Sequence, residues 1–146
     1  MLIVQGLNND DPDFESAWNV LSSSFREIHT KNASNLSFEE LHRSAYKIVL
    51  KQKGDVLYSR VRDFEREWLT NEVRVHVRSL ISSSILAQSQ SESSGATLLE
   101  RRLAGEKFLK GLKQAWQDYQ LGMNMLSDVL MYMVRQRLAN DVVFAD

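Results

Sequence analysis

The chain has 146 residues, 43% of them hydrophobic and 25% charged, with 18 basic against 19 acidic side chains and no cysteine. That length and composition predict one folded domain with one core, and the near-neutral balance excludes a general polyanion-binding field. Disulfides, thiolate zinc sites and cysteine nucleophiles are excluded; no apolar run approaches the ~20 residues of a membrane span.

The opening Met1-Leu2-Ile3-Val4 is too short for the apolar part of an export signal and lacks a basic start. A cytoplasmic or nuclear setting is expected. Six glycines and one proline leave few sites for tight turns. Long helices are the natural solution. Residues 1–10 read as a flexible extension.

Asp11-Pro12 announces the first helix, with Asp11 as cap and Pro12 at the first helical position. Phe14, Trp18, Leu21, Phe25 and Ile28 then recur in steps of three and four, which keeps them on one stripe. The helix is expected to end near Lys31-Asn32.

The second helix carries the strongest start signal. Ser37-Phe38-Glu39-Glu40 fits a capping box, flanked by Leu36 and Leu41 for a hydrophobic staple. Phe38, Leu41, Ala45 and Ile48 form an apolar stripe. Glu39, His42, Arg43 and Tyr46 lie beside it. Lys51, Lys53 and Gly54 are expected to close the helix.

A third helix starts at Asp55 and carries Leu57, Val61, Phe64 and Trp68, drifting to Leu69, Val73, Val77 and Leu80. Helical spacing on both sides of the Val73, Val75, Val77 alternation favours helix over strand. The Ser- and Gln-rich stretch from about 87 to 97 reads as a flexible loop.

Thr97-Leu98-Leu99-Glu100 is a second capping box. Beyond it Phe108, Leu112, Trp116, Tyr119, Met123, Leu126, Leu130 and Met133 make the most regular stripe in the chain. The pattern fades after Arg137, so 139–146 reads as a tail. The expected architecture is all-α: an antiparallel bundle of about four long helices spanning 11–138.

Sites for chemistry are few. His29, His42 and His76 fall on three different helices without partners at metal-ligand spacing. There is no Gly-rich phosphate loop and no Gly-flanked nucleophile turn. The basic run Arg101, Arg102, Lys107, Lys110 and Lys113 is interrupted by Glu100 and Glu106 and reads as a solvated face. Neither an enzyme nor a nucleic-acid or membrane partner is expected, and no metal or cofactor is implied. Met123 and Met133 read as packing.

Two surfaces stand out instead: Glu39/His42/Arg43/Tyr46, and Tyr132 with Arg135. Tyr and Arg concentrate at binding hot spots because they join large contact area to a polar end. The bland alternative is an ordinary half-exposed helix.

At these residues the chain resembles the cullin-3 family. Leu36-Ser37-Phe38-Glu39-Glu40-Leu41, followed by Arg43 and Ala45-Tyr46, is similar to that family's second-helix signature. Trp18 with Leu21, Lys31-Asn32, Leu57-Tyr58, Ala115-Trp116-Gln117-Asp118 and Val129-Leu130-Met131-Tyr132-Met133 follow in matching order. The resemblance implies a first cullin repeat of a fungal type, and a non-catalytic scaffold of a multisubunit RING ubiquitin ligase. It implies BTB-domain substrate adaptors as partners.

Carried across, Leu36, Phe38, Glu39, His42, Arg43 and Tyr46 form one adaptor-binding patch. Tyr132 and Arg135 form a second, with Asp128 peripheral. Phe38 is then the side chain entering an apolar adaptor pocket. Glu39 and Arg43 set orientation and specificity. Three departures accompany the likeness. His42 stands where the family usually has Tyr, Val134 precedes Arg135, and Gln136 to Asp146 match nothing in the family.

Nothing resembles the carboxy-terminal cullin-homology region, so no RING subunit is expected on this chain. The chain then reads as a fragment, a truncated gene product or a shortened paralogue. The competing expectation is a helical module that self-associates through its Met-rich last helix.

Overall fold

A computed structural model describes residues 11–94 and 97–143. Every regular element among them is helical: α1 (Pro12–His29), a 3-10 turn (Ala33–Asn35), α2 (Phe38–Leu50), α3 (Gly54–Trp68), a π turn (Leu69–Val73), α4 (Arg74–Ser94), α5 (Leu98–Val129) and α6 (Met131–Val143). The all-α expectation holds. The count differs because the third expected helix is divided into α3 and α4 by the π turn and the last is divided at Leu130. Hydrogen bonding runs on through that point: Leu130 N–H donates to the Leu126 carbonyl at 2.9 Å, and Val134 N–H to the Leu130 carbonyl at 3.0 Å. The expected extension at 1–10 lies outside the described residues.

Two further boundaries differ. The Ser- and Gln-rich stretch is helical through Ser94, where a loop was expected from about 87. Neither Gly nor Pro interrupts it before Gly95; Ser only weakens a helix, and Gln is among the better helix formers. Helix α6 likewise reaches Val143, through residues expected as tail.

The chain divides into two units, residues 1–61 with 124–146, and residues 62–123. The first holds the buried core: Phe14, Trp18, Leu21, Phe25, Ile28, Leu41, Ala45, Ile48, Leu57, Val61, Leu126, Val129, Leu130 and Met133. Helix α2 packs against both α1 and α6.

Helix ends in this unit follow from their residues. Asp11 accepts from Asp13 N–H at 3.0 Å, and Ser37 Oγ accepts from Glu40 N–H at 3.4 Å. At the other ends, Lys31 and Gln52 adopt φ of 64° and 59°. Asn32 N–H returns to the Glu27 carbonyl and Lys53 N–H to the Ile48 carbonyl. Both are Schellman closures, built without the glycine that such a position favours. Gly54, expected to close α2, instead begins α3, where it lies against Gln136 of α6.

Ion pairs tie α1 to the segment after α2. Lys53 pairs with Asp11, Lys51 with Asp13, and Arg60 with Glu15. The Lys53 ammonium is the main reason the Asp11 carboxyl sits below the usual carboxylate range. Its contribution to stability is therefore present near neutrality and lost as the pH falls through that lowered value.

The second unit is thinly packed. The face of α5 that turns inward carries small residues: Gly122 is buried, and Ala104, Gly111 and Ala115 are half-buried. Leu80 of α4 comes within 3.0 Å of where a Cβ on Gly111 would stand. Trp116 and Leu112, expected in the core, are 65% and 39% exposed. Phe108 and Tyr119 of the same stripe are half-buried beside the small residues, whereas Leu112 and Trp116 lie farther round the helix, outside that contact. Glu65, only 8% exposed, accepts from the Tyr119 hydroxyl at 3.2 Å.

Burial, reinforced by the Glu65 charge, pushes the Tyr119 phenol up to about 12 from 10.0. The folded protein holds this proton where the unfolded chain has released it. Stability is thus expected to fall as the pH rises through that interval. In an ultraviolet phenolate titration, Tyr119→Phe is expected to remove the last step; an unchanged curve contradicts the pairing. Gln52→Gly is expected to stabilise by up to about 1 kcal/mol in denaturant unfolding. Leu126→Ala is expected to cost about 2–5 kcal/mol, and Trp116→Ala to stay within about 0.5 kcal/mol.

Candidate docking face on α2 and α6

Burial of Leu41, Ala45 and Ile48 fixes the rotation of α2. His42 then lies about 100° round the helix from that stripe and Tyr46 about 140°, beside the α6 contact, with Glu39 and Arg43 farther round toward solvent. Tyr46 and Tyr132 meet there with ring centroids 4.6 Å apart and an interplanar angle of 46°. His42 lies on the same Tyr132 ring at 5.2 Å. Both tyrosines are 37% exposed, neither sealed inside nor free in solvent.

Glu39 and Arg43 form an exposed i, i+4 pair at 2.8 Å. Such a pair is worth little to the fold and is available to reorganise against a ligand. Leu36 and Phe38 are half-buried at the entrance to α2. Arg135 is exposed, one turn beyond Tyr132. Asp128 is exposed in the last turn of α5, one turn before it.

The structure therefore brings His42, Tyr46 and Tyr132 into contact across two helices, and pairs Glu39 with Arg43. It places Leu36 just before α2 and Phe38 at its start, Asp128 in the last turn of α5 and Arg135 in the first half of α6, without linking them to the aromatic trio. Two surface residues escaped the sequence reading. Leu50 is 61% exposed at the end of α2, and Lys47 is exposed one turn earlier. Leu50 was legible as an apolar residue off the buried stripe.

The aromatic contact offers packing area with hydroxyl and imidazole groups at its edges. It suits recognition of another protein surface better than bond chemistry. Among the described residues no cluster of His, Asp or Glu is arranged to hold a metal, and no helix is long and apolar enough to cross a membrane.

Residues 18–144 match the model of the cullin alpha solenoid domain. The chain belongs to the cullin family. It is 37% identical to cullin-3 of Dictyostelium discoideum over 126 residues, which are 86% of this chain and 13% of that relative. Cullin-3 of Schizosaccharomyces pombe is 34% identical over 83% of this chain and 16% of its own length. Cullin-3B of Arabidopsis thaliana is 33% identical over 86% of this chain and 14% of its own length. This cullin chain thus spans about a seventh of the relatives it matches, within their amino-terminal region.

The ring contact predicts a measurable coupling. In a double-mutant cycle of Tyr46→Ala and Tyr132→Ala, unfolding free energies are expected to show an interaction of about 0.5–1.5 kcal/mol. Additivity of the two changes contradicts the contact.

Proposed function

We propose that this chain is the adaptor-binding part of a cullin scaffold. It holds BTB-domain substrate adaptors for a ubiquitin ligase through α2 and α6 and performs no catalysis itself. The observation that carries this reading is the Tyr46–Tyr132 contact at 4.6 Å, with both rings 37% exposed. Cullin family membership and the cullin-3 names of its relatives support it.

In this reading Phe38 and Leu36 supply the apolar entry point. Tyr46 and Tyr132 supply the packed centre, with their hydroxyls toward the partner. Glu39, Arg43, Arg135 and Asp128 form the polar rim, which governs association rate and discrimination more than affinity. His42 takes the place of a larger aromatic and contributes less contact area.

A second reading, self-association of a helical module, is favoured by one observation. Leu98, Leu99 and Trp116 of α5 are 85%, 63% and 65% exposed. Concentration-dependent sedimentation without adaptor binding supports that reading against the first.

Calorimetry with a panel of BTB domains tests the proposal. Phe38→Ala and Tyr46→Ala are each expected to cost at least about 2 kcal/mol of binding. His42→Tyr is expected to tighten it. Unchanged affinity in both alanine variants rejects the site, and failure of the folded chain to bind any adaptor rejects the function.

A further inference from the structure

A second concave surface lies on α2, toward α1 and away from α6. Between the amino-terminal half of α1 and the carboxy-terminal half of α2 there is a groove of about 560 Å³. Sites for small ligands and anchoring side chains commonly fall in the range of about 300–1,000 Å³. Phe14 and Ile48, each 4% exposed, make the floor, and Val20 and Leu50, 52% and 61% exposed, make the lips.

The charges around it are unequal. Lys53 is committed to Asp11, which also caps α1. Lys51 meets Asp13 at 3.1 Å, with side chains 53% and 77% exposed, so that pair exchanges for another partner at little cost. Lys47 lines the groove on the α2 side, is exposed, and has no ion pair among the described residues.

We propose that this groove docks a short acidic segment of a partner protein, one bulky apolar side chain seated between Val20 and Leu50 and a neighbouring carboxylate on Lys47. The apolar floor rewards removal of an aliphatic or aromatic side chain from water. Lys47 and the exchangeable Lys51 favour a negative flank and oppose a basic one. A nucleic acid fits poorly, because the floor is apolar and Lys47 with the exchangeable Lys51 is too small a cationic surface to hold a run of phosphates. The inference stands apart from the adaptor reading, since none of the groove's lining residues belongs to the α2–α6 face.

Fluorescence anisotropy with two labelled peptides tests it on the full chain. One has a Leu-Phe pair flanked on each side by two Glu; the other has Lys in place of Glu. The acidic peptide is expected to bind saturably, and at least about tenfold more tightly than the basic one. Lys47→Glu and Leu50→Asp, both at exposed positions, are each expected to weaken it by about tenfold or more with helical circular dichroism unchanged. Tyr132→Ala is expected to bind the peptide as the parent does.

Equal binding of the two peptides, no saturable binding, or indifference to both groove substitutions overturns the proposal. So does concentration-dependent sedimentation abolished by Leu50→Asp, which assigns the groove to a second copy of the chain. Loss of adaptor binding with peptide binding retained removes only the adaptor reading.

Discussion

Helix α2 is held from two sides, and much of what this chain can do follows from that. Leu41, Ala45 and Ile48 are spaced one turn apart and buried to within a few per cent, while α1 and α6 both pack against the helix. A helix clamped along one stripe has no freedom to rotate. The residues beside the stripe are therefore presented at fixed angles. On one side that places His42 and Tyr46 on Tyr132. On the other it sets Lys47 and Leu50 over the α1 groove.

Energetically the residues that stabilise the fold are distinct from those of the proposed docking face. Core residues such as Leu21, Phe25, Leu57 and Leu126 are almost wholly removed from water, and burial of such side chains is the main favourable contribution to folding. The aromatic pair and the Glu39–Arg43 bridge are exposed enough to add little to that sum. Substitution there is expected to leave the fold intact.

The first unit was largely legible in the sequence. Caps at Asp11 and Ser37, and apolar steps of three and four in α1 and α2, have local causes that a sequence displays directly. The neighbourhood of Tyr46 and Tyr132, 86 positions apart, came from a family resemblance, because no local rule carries that separation. The structure supplies the ring contact itself.

The second unit was read less well, for a physical reason. Periodicity shows which residues share a side of a helix, not whether a neighbour covers that side. Trp116 and Leu112 follow the pattern yet stay exposed, because α5 turns the small residues Ala104, Gly111 and Ala115 inward. Glu65 is one of five charged residues in 62–67 and carries no local sign of burial; its partner Tyr119 lies 54 residues away. The Ser-rich end of α4 was misread because composition alone cannot distinguish a weak helix from a loop. Lys31 and Gln52 close their helices with left-handed backbones that neither residue type advertises.

The most direct test of the central claim is an amide chemical-shift footprint of the folded chain with a BTB domain. The account predicts that the largest changes fall together on α2 around 39–46 and on α6 around 132–135, with the α1 groove little affected. Changes confined to one of those helices, or centred on the exposed face of α5, contradict it.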